Sequence, residues 1–217
     1  MSLNSMKNMA KLSFGEEVGN TISHGVMSVF CLFLLPACSV YSYLKGGWIQ
    51  SLGVSIFIIC LFLMFLASTL YHAMDFNSKQ KLVFRILDHS CIYLAIAGTY
   101  TPISLCLIKG WEGLIILVIQ WSMVLIGILY KALAKKSMPK LSLIIYLTMG
   151  WVAVLFLPAL FKTANLTFLS LIVLGGIFYS IGTYFYSKPK KPYYHMIWHI
   201  FIDFASISHF IAILFFM

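Results

Sequence analysis

Four ionisable residues in this sequence have the types and spacing to do chemistry: His72, Asp88, His195 and His199. Each falls near the end of an apolar segment, where an ionisable side chain is unfavourable in lipid and therefore suggests a functional site. His195 and His199 are four residues apart, so in a helix they lie on one face, about 6 Å apart along the axis. Two imidazoles in that arrangement can bind one metal ion, and His72 can add a third nitrogen from another helix.

Three histidine nitrogens and one open position form a common catalytic arrangement for Zn²⁺, with Zn–N distances of about 2.0–2.1 Å. Water in the open position has its pKa lowered to about 7. Asp88 is then predicted to hold or deprotonate that water. Ser68, one turn from His72 on the same face, can donate a hydrogen bond to a substrate or intermediate. The residues therefore predict a Zn²⁺ cofactor, because imidazole-rich sites favour zinc, although spacing alone does not distinguish it from other divalent metals.

Each of these residues also has a simpler structural explanation. A lone histidine within a membrane is often a hydrogen-bond link between helices, worth about 0.6 kcal/mol on average. That alternative applies to His72 taken alone and is our prediction for His209. Asp88 can instead form an ion pair with Arg85, three residues earlier. The three histidines taken together, with Asp88 at the same depth, favour a metal site over these separate explanations.

Further polar residues are predicted to support the site. Asp203 is four residues after His199, on the same face and about 6 Å deeper, where a carboxylate needs a partner such as a ligand histidine or a substrate. Glu17, Asn20 and His24 share one helix face. They can close the cytoplasmic mouth of the site or hold the metal ligands in place. A simple role in helix N-terminal charge and capping is an equal alternative.

The elements that position these residues are predicted to be transmembrane helices. The chain has 217 residues, of which 61% are hydrophobic and 10% charged, whereas soluble domains average about 25% charged residues. The net charge of +9 does not indicate a nucleic-acid partner, because the basic residues are scattered through short loops. A spanning helix needs about 20 apolar residues. Seven stretches qualify: 21–43, 48–73, 84–108, 112–133, 141–161, 165–186 and 193–216.

These spans predict one all-α seven-helix transmembrane domain over residues 1–217, with a short cytoplasmic segment at 1–20. Turn signals such as Gly46-Gly47 separate the spans, and the loops are short. Twelve of the 15 lysine and arginine residues fall on one side and three on the other. The positive-inside rule therefore predicts a cytoplasmic N-terminus and a C-terminus outside the cell membrane. With this topology, the four residues that opened the analysis all lie in the inner leaflet.

At these residues the chain resembles the hemolysin III family, the bacterial branch of the progestin and adiponectin receptor (PAQR) membrane proteins. The matching pieces cover nearly the whole chain: Glu16-Glu17 with Asn20 and His24, Ser68-Thr-Leu-Tyr-His72, Leu87-Asp88-His89-Ser90, Gly98-Thr99-Tyr100-Thr101-Pro102 and His195-Met-Ile-Trp-His199. The resemblance implies a zinc ion held by His72, His195 and His199, which Asp88 contacts through water. It also suggests membership in a wider group of proposed membrane hydrolases that includes alkaline ceramidases.

Three functions are compatible with these observations. The first is a zinc-dependent hydrolase of a membrane-lipid amide or ester, in which Asp88 takes a proton from the attacking water and Ser68 helps to stabilise the oxyanion. The second is a non-enzymatic sensor or regulator of membrane state, whose zinc ties helices together. The third is cytolysis or pore formation, the activity that the family name records. The lipid hydrolase is the preferred prediction.

Overall fold

A computed structural model describes residues 11–133, 139–189 and 191–217 of the protein, and these are helical almost throughout. Three short segments have a different helical pitch: the π-helical Ile103–Ile108 after α2, the 3₁₀ turn Val152–Phe156 between α4 and α5, and the π-helical Ala212–Phe216 after α7. The α-helices are α1 Phe14–Ala73, α2 Lys79–Pro102, α3 Gly110–Leu133, α4 Pro139–Trp151, α5 Leu157–Thr163, α6 Leu166–Tyr186 and α7 Tyr194–Ile211.

The first helix begins at a capping box. The Ser13 hydroxyl accepts a hydrogen bond from the backbone N–H of Glu16, and the Glu16 carboxylate accepts one from the backbone N–H of Ser13 at 3.0 Å. Helix α1 therefore starts at Phe14, seven residues before the predicted start of the first span. The predicted segment 1–20 is thus helical from Phe14 onward, while residues 1–10 lie outside the described part of the chain.

Helix α1 is a hairpin rather than one straight rod. Sixty continuous residues would extend about 90 Å, roughly three times the hydrocarbon thickness of a bilayer. The backbone is non-helical at Gly46 and at Gly47, whose φ of 75° suits glycine. The two arms pack side by side: the Ser39 and Ser55 hydroxyls are 2.7 Å apart, and Ser51 Oγ donates to the Ser39 carbonyl at 2.8 Å. The predicted turn thus makes the predicted spans 21–43 and 48–73 antiparallel.

Within the described ranges, six helices are long and apolar enough to cross a membrane. By length and composition they are Phe14–Ala73, Lys79–Ile108, Gly110–Leu133, Lys140–Thr163, Leu166–Tyr186 and Tyr194–Phe216. The first of these contains both arms of the hairpin. The prediction of a multi-pass, all-helical membrane protein is therefore confirmed.

The core lies between α1, α2 and α7, whereas the outer helices turn apolar side chains outward. Phe57 and Phe65 are almost fully buried, and so is Ile213 in the π-helical segment after α7. In contrast, Leu125 of α3 and Leu155 beyond α4 are largely exposed, as expected of surfaces that face lipid. Helices α1, α2 and α7 therefore surround the polar residues, and the outer helices form the surface that faces lipid.

Candidate metal centre

Three histidines from the first and the last α-helix meet at one point. His72 comes from the last turn of α1, while His195 and His199 come from the first two turns of α7. One nitrogen from each lies within 4.8 Å of the other two, and the Nε2 atoms of His72 and His195 are 3.2 Å apart. Two nitrogens bound to one tetrahedral zinc ion would be about 3.3 Å apart. The spacing thus fits a shared ion as well as a direct hydrogen bond.

The second observation that favours an ion is the state of His199. Its side chain is fully buried, yet neither ring nitrogen has a hydrogen-bond partner among the described residues. Buried polar groups almost always have such a partner. The His199 ring centroid is instead 4.9 Å from that of His72 and 4.9 Å from that of His195. These three histidines can therefore hold a metal ion.

Glu17 determines which nitrogen of His72 is available. The Glu17 Oε2 atom lies 2.6 Å from His72 Nδ1, and a carboxylate accepts, so Nδ1 carries the proton. In a neutral imidazole this leaves a lone pair on Nε2, the atom that faces His195. Lys81 in turn donates to Glu17 Oε1 at 2.7 Å and to the Met74 carbonyl at 3.0 Å. A carboxylate behind a ligand histidine fixes its tautomer and its ring orientation.

Two further residues lie next to the contact between Glu17 and His72, and one of them was not predicted as a site residue. Asn20 Nδ2 lies 3.4 Å from His72 Nδ1, which is a contact between two donors, because Nδ1 already donates to Glu17. The predicted Glu17 and Asn20 both lie beside a candidate metal ligand. Lys81 is only 1% exposed and was missed. It lies seven residues before Asp88, hence on the same face of α2, and that spacing was the available signal. The role of Lys81 is apparent only from its hydrogen bond to Glu17, which is 64 residues away in sequence.

Asp88 is buried beside the three histidines but is not one of their group. Its Oδ2 atom lies 3.3 Å from His89 Nδ1. It has no ion pair with Arg85 in the described structure, so that simpler explanation of Asp88 is not supported. The Asp88 carboxylate is close enough to His72 and His24 to interact electrostatically with both.

The remaining predicted residues are His24, Asp203 and Ser68, and each lies close to the clustered histidines. The His24 ring stacks on His199, with centroids 3.7 Å apart and ring planes 12° apart. Asp203 lies next to it, with Oδ1 3.7 Å from His24 Nε2, so its partner is His24 rather than one of the three clustered histidines. Ser68 is 1% exposed, one turn before His72, and its hydroxyl has no hydrogen-bond partner among the residues described.

An apolar cavity of about 250 Å³ lies near these histidines, and residues from all seven α-helices line it, most of them on α2, α4 and α6. Trp198 is part of its wall, and its ring centroid is 4.8 Å from that of His195 and 5.1 Å from that of His199. Tyr186 also lines the cavity, with its ring centroid 6.3 Å from that of His195. The cavity is large enough for part of a hydrocarbon chain, and Trp198 in its wall also packs against His195 and His199. No local sequence pattern predicted the cavity, because its wall is assembled from all seven α-helices.

The chain is thus a multi-pass helical membrane protein in which two buried histidines, His72 and His199, and the half-buried His195 can hold a metal ion. Residues 12–210 match the model of the haemolysin-III related family. The chain belongs to that family, which confirms the resemblance found in the sequence.

Named relatives align over most of the chain. It is 38% identical over 201 residues to "Hemolysin-3 homolog" of Bacillus subtilis (strain 168), covering 93% of this chain and 94% of the relative. It is 34% identical over 202 residues to "Hemolysin-3" of Bacillus cereus, covering 93% and 92%. Similarity extends to the human "Monocyte to macrophage differentiation factor", 30% identical over 174 residues, covering 77% and 68%.

Proposed function

We propose that the protein is a zinc-dependent hydrolase of a membrane-lipid amide or ester. The observation that carries the proposal is the group of three histidine nitrogens within 4.8 Å of one another, two of them on α7 and one on α1. Three imidazoles leave a coordination position open, as catalytic zinc sites do. The apolar cavity next to the group supports a substrate with a hydrocarbon chain.

We also propose seven spans, with the N-terminus in the cytoplasm and the C-terminus outside the cell. The break at Gly46 and Gly47 supports this count, because each arm of α1 has about the length that crosses a bilayer. The excess of lysine and arginine on one side supports the orientation. The candidate site is then in the inner leaflet of the cell membrane, where a lipid can enter sideways.

The donor set suits zinc. Imidazole is a preferred ligand of Zn²⁺, and His72, His195 and His199 would hold it. When bound, zinc supplies a Lewis acid for a carbonyl oxygen and lowers the pKa of water. Glu17 contributes by keeping the proton of His72 on Nδ1, so that Nε2 remains free to bind.

The neighbouring residues have separate roles in the proposed reaction. Asp88 holds the attacking water and removes its proton as a general base. Ser68, whose buried hydroxyl has no partner in the described structure, donates a hydrogen bond to the oxygen of the attacked carbonyl as negative charge develops there. His24 and Asp203 provide polar groups next to His199.

The test combines metal content with lipid turnover by the purified protein in detergent. The wild type should contain one equivalent of zinc by elemental analysis and should release fatty acid from a lipid amide or ester. Asp88→Asn should keep the zinc and lose activity by about 100-fold or more, since general bases contribute about 10²–10⁴. Asp75→Asn is the matched control, because Asp75 is an exposed carboxylate in the α1–α2 turn. Zinc-loaded Asp88→Asn with unchanged turnover would contradict the proposal.

A second candidate, a structural metal in a non-enzymatic sensor or regulator, is favoured by the origin of the ligands. His72 ends α1, whereas His195 and His199 begin α7, so an ion between them joins distant parts of the chain. In that case His72→Ala lowers the melting temperature markedly, while Asp88→Asn changes neither stability nor any lipid. Loss of the metal lowers the melting temperature under either candidate, so the lipid turnover of zinc-loaded Asp88→Asn is the measurement that separates the two.

The name of the Bacillus cereus relative points to a third activity, lysis. For this chain it is tested by dye leakage from liposomes that contain the purified protein. Leakage by the wild type that persists in a variant with all three clustered histidines replaced by alanine would favour lysis over hydrolysis.

A further inference from the structure

Two cations near the candidate site form no ion pair within the described residues, although the Asp88 carboxylate is close enough to Lys131 to attract it. Arg85 of α2 and Lys131 of α3, here called the basic pair, are close enough to interact electrostatically. The Nη1 atom of Arg85 is buried and has no hydrogen-bond partner in the described residues. Lys131 is half-buried, and its Nζ atom donates to the Ser142 hydroxyl at 2.6 Å. The structure thus holds two positive charges together without an ion pair to either in the part of the chain it describes.

This arrangement leaves an excess of positive charge, because Asp88 can offset only one of the two cations. Like charges repel, and a buried donor without an acceptor loses its hydration without compensation. Asp88 is the acid nearest to Arg85 in sequence, but its carboxylate lies against His89. A guanidinium has five donors in a planar fork that matches a phosphate or carboxylate. The basic pair therefore resembles a preformed site for an oxyanion.

Aromatic hydroxyls lie around the basic pair. Lys131 Nζ is 5.9 Å from the ring centroid of Tyr130 and 5.9 Å from that of Tyr146. The Tyr130 hydroxyl is buried and has no hydrogen-bond partner among the described residues. It is a second unused donor beside the basic pair, and hydroxyl donors add to the binding of phosphate oxygens.

Lys131 lies near the apolar cavity, because its Nζ atom is 5.9 Å from the ring centroid of Tyr146, which is part of the cavity wall. Tyr146 and Tyr186 both line the cavity. The Tyr146 hydroxyl donates to the His89 carbonyl at 2.7 Å, and the Tyr186 hydroxyl is 3.4 Å from His89 Nε2. His89 Nδ1 in turn lies 2.8 Å from the Arg85 carbonyl, one helical turn away. Positive charge and apolar space are thus adjacent, which is the complement of an anionic amphiphile.

We propose that the basic pair binds the phosphate headgroup of an anionic membrane phospholipid whose acyl chain occupies the cavity. The occupant is a lipid rather than free phosphate because the cavity wall is almost entirely apolar, and only an attached hydrocarbon chain would fill it. The inference that the substrate is an anionic rather than a neutral lipid rests on the proposed hydrolase function. The binding of the lipid can be tested without measuring turnover.

The experiment measures lipid binding to the purified full-length protein in a neutral detergent by native mass spectrometry. The probes are phosphatidylglycerol and phosphatidylcholine with identical acyl chains. The wild type should bind phosphatidylglycerol about tenfold more tightly, a difference of about 1.4 kcal/mol. Both lipids carry a phosphate, but the choline cation of phosphatidylcholine is repelled by the basic pair. Arg85→Gln and Lys131→Gln should each reduce that preference to about twofold or less.

Lys188→Gln is the matched control. It removes one positive charge of the same kind, but Lys188 bonds to the exposed Tyr184 hydroxyl and lies outside the basic pair. It should keep the tenfold preference. Arg85→Lys should fall between Arg85→Gln and the wild type, because it keeps the charge but loses the fork. If Arg85→Gln does not fold, as judged by size-exclusion chromatography, Lys131→Gln still decides the outcome.

Three results would overturn the proposal. One is equal binding of the two lipids by the wild type. Another is an equal loss of preference in Lys188→Gln, which would indicate general surface charge. The third is competition by inorganic phosphate as effective as that by phosphatidylglycerol, which would indicate a free-anion site.

The result is separable from the proposed hydrolysis. His199→Ala should keep the lipid preference even though it loses the metal, because the basic pair binds the headgroup directly. If the wild type shows the lipid preference but hydrolyses no lipid, the result would support this binding site and count against the enzyme. Hydrolysis of a neutral lipid with no preference for an anionic one would do the reverse.

Discussion

His199 and His209 are two buried histidines on the same helix, ten residues apart, and their surroundings differ. His209 Nε2 lies 3.1 Å from the Ile172 carbonyl of α6, and its ring packs at 5.6 Å from that of Tyr179. It is the link between helices that the sequence predicted. His199 has no hydrogen-bond partner in the ranges described and lies against three other imidazoles, those of His24, His72 and His195.

The difference shows that burial alone does not mark a functional histidine. One carbonyl acceptor satisfies the N–H of His209 and ties α7 to α6, which is a packing role. Several ring nitrogens around one point cannot all satisfy each other, because each neutral imidazole has only one donor. A shared cation resolves the conflict, and it can do so at His199 but not at His209.

The largest effect should come from removing the shared ligand. His199→Ala should purify without its metal, whereas His209→Ala should retain one equivalent, because only the first loses a nitrogen that faces the other ligands. Elemental analysis after size-exclusion chromatography measures both. A full equivalent of metal in His199→Ala would remove the distinction between the two histidines.

Metal removal should destabilise the wild type and leave His199→Ala unchanged. A ligand present at about 1,000 times its Kd stabilises the folded state by about 4 kcal/mol. For a chain of this size that corresponds to roughly 8–16 °C in Tm. Thermal unfolding followed by circular dichroism, with and without a chelator, provides the measurement. Equal melting temperatures of the wild type under the two conditions would argue against a bound ion.

A smaller effect is expected from the residue that fixes the tautomer of His72. Glu17→Gln should weaken metal binding by about 10–100-fold, the usual cost of losing a carboxylate behind a ligand histidine. Glu112→Gln, an exposed glutamate at the start of α3, is the control and should bind as the wild type does. Competition with a chromophoric chelator gives both constants. An unchanged constant for Glu17→Gln would mean that Glu17 is only a partner of Lys81.

The smallest effect should be that of His209→Ala on stability. An interhelical hydrogen bond in a membrane protein averages about 0.6 kcal/mol, and truncating the ring leaves a small cavity that adds to the loss. Unfolding in mixed micelles at increasing denaturant should therefore shift only slightly, with metal content unchanged. A loss of metal in this variant would show that the two ends of α7 are coupled.

The helical segments were predictable because their signals are local. Long apolar runs specify helices in lipid, and glycines mark where a chain can turn, as at Gly46 and Gly47. The observed helix ends differ from the predicted spans mainly at the start of α1, where the Ser13–Glu16 capping box extends the helix, and at the start of α2, where Ser78 caps Lys79–Pro102. Capping depends on a few polar side chains, which an apolar pattern does not include.

The partners of the polar residues were less predictable. Arg85 and Asp88 have the spacing of an ion pair, yet Asp88 lies against His89 while Arg85 is free to bind elsewhere. Glu17 was compatible with a capping role, and only the contact with His72 at 2.6 Å gives it a place beside the metal ligands. A polar side chain with several possible partners binds the one that lies closest in three dimensions. The spacing of residues within one helix does not reveal that distance.

The sequence was sufficient to assign the protein to the helical membrane proteins of the haemolysin-III related family and to identify the histidines that can bind a metal. These properties depend on hydropathy and on residues close together in the chain. The three-dimensional fold was needed to show that nitrogens from α1 and α7 meet, that Glu17 and Lys81 stand behind His72, and that Lys131 lies near the wall of an apolar cavity. The reason is physical: helix packing brings together residues more than a hundred positions apart, and a shared site exists only where they meet.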